Sequence, residues 1–198
     1  MSGINGGLSY SLDLAPLPAP LRLAIESLDA RPSNPSELVE LTQSVAEYTA
    51  SHPHAAVPVL VDILGFNNNI AAATAVAALA SAPASPATLA ALLSGVSAFN
   101  YAVNAYSLRA LGLRKDPTIL PICAQAVTSS PIPNVRRAAV AAIGSLDYPW
   151  AAPEGQRAGK EAGERLVAWL KGERDWTVRY AAAAALEAWA AGAGKSGV

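Results

Sequence analysis

Cysteine is nearly missing from this 198-residue chain, which carries Cys123 alone. That rules out an internal disulfide framework and any multi-thiolate metal site, and it fits a reducing, cytoplasmic setting. Histidine is almost as scarce. The two copies form His52-Pro53-His54, with no carboxylate or thiol close by in sequence to complete the four ligands of a structural zinc. The plainer expectation there is a loop after a helix. An excess of either charge is also missing: 14 Lys and Arg stand against 15 Asp and Glu, for a net charge of -1. Nucleic acid, whose phosphates need a clustered basic surface, is therefore not an expected partner. No charged residue occurs from Ile63 to Leu108, yet Asn67, Asn68, Asn69, Pro83, Pro86, Asn100 and Asn104 interrupt that run. A span needs about 20 apolar residues in a row, so membrane insertion is not expected either. The N-terminus lacks the basic start and apolar core of a signal peptide, and residues 1–18 read as a flexible or partner-docking tail.

What the chain does have is a repeat. Four stretches align from a common branched or small residue: AAATAVAAL from Ala71, VNAYSLRAL from Val103, VRRAAVAAI from Val135 and VRYAAAAAL from Val178. In each, a small residue stands four places on (Ala75, Ser107, Ala139, Ala182) and a large aliphatic eight places on (Leu79, Leu111, Ile143, Leu186). The first two periods are equal and the third is eleven residues longer. The extra length is expected as a loop insertion at 146–163, where Pro149, Pro153, Gly155, Gly159 and Gly163 cluster. Each period also has a helical first half, in VPVLVDILG, PATLAALLSG, DPTILPICAQAV and GERLVAWLKG. Pro58, Pro86 and Pro117 are expected near helix starts, where the missing N–H costs least.

Helix, turn, helix, with small residues on the second helix so that neighbours approach closely, is an α-solenoid unit. Two further helices are expected upstream, over Ala19–Ala30 and Pro35–Ala50, the second capped by Ser36. The expected organisation is an all-α solenoid over 19–191, a right-handed superhelix of antiparallel pairs, followed by a C-terminal tail at 192–198. The final helix carries only Arg179 and Glu187 as charges. Its Trp189 and alanine run would be left bare unless a partner docks there or the helix folds against the insertion.

Four stretches resemble a known family: Ala56 to Ala80, Phe99 to Gly112 (FNYAVNAYSLRALG), Pro133 to Tyr148 (PNVRRAAVAAIGSLDY) and Asp175 to Ala188 (DWTVRYAAAAALEA). They are similar to the HEAT-like repeats of the F-type subunits of heterodimeric E/F phycocyanobilin lyases. The resemblance covers roughly Ala56 to Ala190. It implies an enzyme subunit that works with an E-type subunit to attach an open-chain tetrapyrrole, phycocyanobilin, to a cysteine of the phycocyanin α subunit. Phycocyanobilin would be the substrate and no cofactor is implied. A related branch that also isomerises the bilin carries a His-Cys motif where this chain reads FNYAVNAYSLRALG, so isomerase activity is not expected. Asn104 stands where later repeats have Arg136 and Arg179. The other reading kept open is a non-catalytic HEAT-repeat adaptor or chaperone in phycobilisome assembly or degradation.

Thiol addition to a bilin calls for cations at two propionates, flat apolar groups at the rings and an acid for the pyrroles. Arginine pairs with carboxylates bidentately and stacks on π systems, so Arg109, Arg136, Arg137 and Arg179 are the candidate anchors. For Arg136 and Arg179 a structural role is the leading reading, since in HEAT-like arrays such an arginine pairs with an aspartate and Asp175 offers one. Arg137 points elsewhere on the helix, to solvent or to a ligand. Tyr101, Tyr106, Trp176 and Tyr180 are candidates for the rings or for ridges between repeats. Asn100 and Tyr101 mark a helix entrance that could edge the ligand site. Asp175 is the candidate acid, with a helix N-cap as its alternative. Cys123 could carry the bilin in transit, but its apolar setting suits a small buried hydrophobe.

Overall fold

The computed structural model describes Leu8 and residues 12–194, and among these all regular structure is helical. Two helices lead: α1 (Ala19–Asp29) and α2 (Pro35–Ala46). Four pairs follow. Their first members are α3 (Pro53–Ile63), α5 (Pro86–Val96), α7 (Leu120–Ser129, entered through a 3₁₀ turn at Pro117–Ile119) and α9 (Pro153–Gly172). Their second members are α4 (Asn69–Ser81), α6 (Tyr101–Leu113), α8 (Pro133–Ser145) and α10 (Trp176–Gly194).

Helix starts follow local chemistry. Proline occupies the first position of α2, α3, α5, α8 and α9, where its missing N–H would be unpaired in any case. Pro58, expected at a start, lies inside α3, which begins five residues earlier at Pro53. His54 is therefore helical and His52 is the cap residue, so the pair is not a loop; no group of three or more metal-ligating side chains exists among the described residues. Asn34, not Ser36, caps α2, its side chain accepting the Ser36 N–H at 2.9 Å. Three second helices share a cap three residues before the common position. Asn68 accepts from Ile70 and Ala71, Asn100 from Ala102, and Asp175 from Thr177 and Val178.

The chain forms two compact units, Met1–Val103 and Asn104–Val198, with the boundary inside α6. In the first, α1 packs on α2, and α2, α3 and α4 pack on one another. In the second, α8 packs on its own partner α7 and on α10, which also packs on α9. The expected seam is buried: Ala71, Ala75, Leu79, Val103, Ser107, Leu111, Val135, Ala139, Ile143, Val178 and Ala182 all lie in the core. Leu186 alone of the twelve is half-buried. Successive second helices of the second unit nearly touch at backbone level. A Cβ on Gly112 would stand 2.7 Å from Ala142 Cα, and one on Gly144 2.5 Å from Ala185 Cα. Both glycines occupy the ninth place after the common position, so this is a repeating contact.

The structure corrects the domain boundaries. The stretch 146–163 is not a loop insertion: from Pro153 onward it is the first half of the 20-residue α9. Gly155, Gly159 and Gly163 lie four apart on one buried face, against Pro149, the Trp150 ring and the Trp189 ring. Their spacing is a helical stripe admitting bulky neighbours, which reads in sequence as a loop because glycine also marks turns. Trp189 folds against this segment, its Nε1 donating to the Gly159 carbonyl at 2.8 Å and its ring meeting Trp150 edge-on at 5.8 Å. At the N-terminal side, Leu17 is buried and the Leu8 N–H donates to Asp29 Oδ1 at 2.8 Å. The part of the expected tail at 12–18 is thus ordered; residues 1–7 and 9–11 lie outside the described residues. α10 runs three residues past 191, and 195–198 lie outside them as well. No described helix is long and apolar enough to cross a membrane.

Candidate functional site

In the second unit, the faces of α6, α8 and α10 border a groove with a cavity volume of about 410 Å³. The repeat register builds it. Ala105, Arg137 and Tyr180 take the second place after the common position, Tyr106, Ala138 and Ala181 the third, and Arg109 and Ala141 the sixth. Places two, three and six lie on one helix face, so three successive helices offer the same strip of surface. The alanines make the hollow and the large side chains its walls.

Two cations line this groove and no carboxylate does. The Arg109 guanidinium lies 5.8 Å from the centre of the Tyr106 ring, within cation–π range. Arg137 Nη2 donates to Asn134 Oδ1 at 2.7 Å. Tyr180 is 73% exposed, so its ring is open to a flat partner. The lining can therefore pair with two anionic groups while covering apolar surface between them. Tyr106, Arg109, Arg137 and Tyr180 are the sequence-predicted residues brought together. Asn134 was not among them. The only signal for it is its place three residues before Arg137, one helical turn away.

The other candidates are engaged or lie elsewhere. Arg136 makes a fork with Glu173, Nε to Oε2 at 3.0 Å and Nη2 to Oε1 at 3.1 Å, and donates from Nη1 to the carbonyls of Ser130 and Pro131. Arg179 donates to the carbonyls of Glu173 and Arg174. Each arginine thus closes onto the carbonyls five and six residues before it, which fastens the turn that precedes its helix. The expected pairing with Asp175 is replaced by Glu173, whose carboxyl is held below its ordinary value chiefly by the hydrogen bonds from Arg136. Glu173 went unnoticed because it lies 37 residues from Arg136.

Asp175 takes the capping alternative. Its carboxylate accepts the N–H groups of Thr177 and Val178 and the Thr177 hydroxyl, and that hydroxyl bond is the largest cause of its lowered pKa. An acid poised to give up a proton near neutral pH needs the opposite shift. Asn100 is a cap too, and with Phe99 it borders a separate cavity in the first unit. Tyr101 and Trp176 open their helices as exposed rings, and neither lines the groove.

Comparison with known proteins bears on the family and the fold. A family model described as HEAT repeats matches residues 89–187. The phycocyanobilin lyase subunit beta of Nostoc sp. is 34% identical over 149 residues, covering 75% of this chain and 73% of the relative. A phycobilisome maturation protein of Synechococcus elongatus is 38% identical over 150 residues, covering 74% and 70%.

The chain belongs to the phycocyanobilin lyase beta-subunit family.

Its fold agrees with a solved complex of CpcE and CpcF of phycocyanin lyase from Nostoc sp., at a TM-score of 0.59 and 34% identity, covering 69% of this chain and 79% of that one. For this lyase-family chain, Cys123 is excluded as a carrier of bilin. The thiol is fully buried in α7 and burial pushes its pKa up to about 12, whereas nucleophilic cysteines are exposed and depressed. Two other cavities belong to this lyase subunit. One, of about 440 Å³ in the first unit, carries Arg31 and Asp62, with Arg31 over the Phe66 ring at 4.9 Å. The other, of about 700 Å³ between α9 and α10, is lined by Trp150, Val167 and Trp189 and by Lys160 and Glu164.

Proposed function

We propose that this chain is the beta, F-type subunit of a bilin lyase. With an E-type subunit it attaches phycocyanobilin to a cysteine of the phycocyanin α subunit. The observation that carries the reading is the groove of Tyr106, Arg109, Arg137 and Tyr180 in a chain of this family. The two guanidinium groups take the two propionates and the tyrosines cover the conjugated rings. In the reaction the acceptor sulfur bonds the exocyclic carbon of the ethylidene group, and the thiol proton is returned to the neighbouring ring carbon. Nothing is oxidised or reduced. The chain's contribution is to hold and orient the tetrapyrrole so that addition becomes effectively unimolecular. Fixed cations in a partly dry groove also resist the wandering of a flexible, dianionic ligand. The proton donor is not assigned to Asp175, which stays ionised on its cap.

The test is coexpression of this chain with an E-type subunit, apo-phycocyanin α subunit and a source of phycocyanobilin. The expected product is a coloured α subunit whose pigment survives denaturation. Colourless acceptor beside a soluble complex of the two subunits would overturn the reading. A second reading is favoured by the kinship with a phycobilisome maturation protein: an adaptor that handles phycobiliprotein without binding free bilin. Absorbance titration of the chain with bilin separates the two, since only the lyase subunit shifts the pigment spectrum.

A further inference from the structure

Arg136 and Arg137 are adjacent in sequence and meet opposite fates. Arg136 is consumed by Glu173 and two carbonyls. Arg137 faces the groove, and its Nη2 donates to the neutral amide oxygen of Asn134, at 2.7 Å. An uncharged acceptor fixes a guanidinium without cancelling its charge, and it occupies one of five N–H donors. The same place in the other repeats holds Ile70, Ala102 and Thr177, none of which has an amide. Across the groove Arg109 leans on the Tyr106 ring instead.

We propose that Asn134 is a positioning residue that aims the Arg137 guanidinium at one propionate of the bilin. The inference rests on the reading of the groove given above. Holding a long side chain in its bound rotamer before the ligand arrives removes part of the ordering cost of binding. Asn134 itself need not touch the pigment.

The experiment uses the full chain in complex with its E-type subunit, titrated with phycocyanobilin and with its dimethyl ester. Asn134→Ala is expected to weaken binding of the diacid about three- to tenfold, the worth of one net hydrogen bond, and to leave the ester unchanged. Asn134→Asp is expected to weaken it further, because a carboxylate would take up the Arg137 charge. A purely structural role in the first turn of α8 predicts the reverse, since an acidic residue is favoured at a helix N-terminus. Arg137→Ala with Asn134→Ala together should bind no worse than Arg137→Ala alone. Equal losses for diacid and ester, additive losses in the double variant, or full affinity in Asn134→Asp would overturn the positioning role. Failure of the unaltered complex to bind phycocyanobilin would overturn the groove reading instead.

Discussion

Ser107 is the one buried seam residue that brings a polar atom where its three counterparts bring a methyl. It is fully buried, and its hydroxyl has no hydrogen-bond partner among the described residues. A buried, unpaired hydroxyl costs about 1–3 kcal/mol. Ser107→Ala, which copies Ala75, Ala139 and Ala182, should therefore stabilise the chain by about 1 kcal/mol. In thermal unfolding that is an upward shift of about 2–4 °C; an unchanged or lower midpoint would show that the hydroxyl is satisfied in solution. Glu173 gives a residue-scale prediction in pH. Its carboxyl is depressed by Arg136, so the pair's contribution is present above the ordinary value of 4.5 and is lost as pH falls through the lowered one. Glu173→Gln should cost about 1–3 kcal/mol near pH 7. Once the pH is below that lowered value the variant and the parent should converge, because both then carry a neutral side chain there. Urea denaturation at the two pH values measures it.

At the scale of elements, the glycines of the second helices set how closely the repeats approach. A Cβ on Gly144 would meet the Cα of Ala185 at 2.5 Å and its carbonyl oxygen at 2.9 Å. Backbone cannot rotate away, so Gly144→Ala should destabilise by about 1–3 kcal/mol or more. A Cβ on Gly172, the last residue of α9, would meet nothing within 4 Å. Gly172→Ala should instead stabilise by up to about 1 kcal/mol, the ordinary helical preference for alanine. Opposite signs from one chemical change would isolate the close approach as the cause. The period that exposes these contacts was legible in the sequence, because helices packed at one spacing repeat their small and large residues. The helix at 153–163 was not. Its Pro and Gly content is that of a turn, and only Pro149 and the rings of Trp150 and Trp189 lying against the glycines explain the composition. The groove was half legible. Its arginines and tyrosines stand out by type, but the hollow is made by Ala138, Ala141 and Ala181, which in sequence look like any other alanine of an Ala-rich helix. Asn100 and Asp175 were overvalued for the converse reason. A polar residue before a helix looks like chemistry until its capping bonds are seen.

For the molecule as a whole, charge decides among the three cavities described above. The lining of the first-unit cavity holds both Arg31 and Asp62, and that of the cleft between α9 and α10 both Lys160 and Glu164. In both, a dianionic ligand gains from one charge roughly what it loses to the other. The groove of α6, α8 and α10 has Arg109 and Arg137 without an acid, in a chain whose net charge of -1 provides no general attraction for anions. Selection of a ligand with two carboxylates therefore falls to local geometry, over distances shorter than the Debye length of about 8 Å at physiological salt. Removing one charge-assisted contact costs about 1.5–3 kcal/mol. Arg109→Ala or Arg137→Ala should accordingly weaken phycocyanobilin binding by about 10- to 100-fold. Arg31→Ala and Lys160→Ala should leave it within about twofold, because each removes a cation from a cavity that also holds a carboxylate. Absorbance titration of the four variants at fixed ionic strength tests this, with far-ultraviolet circular dichroism to confirm the fold. A loss confined to Arg31→Ala or Lys160→Ala would move the pigment out of the groove and into the corresponding cavity, and with it the roles of Tyr106 and Tyr180.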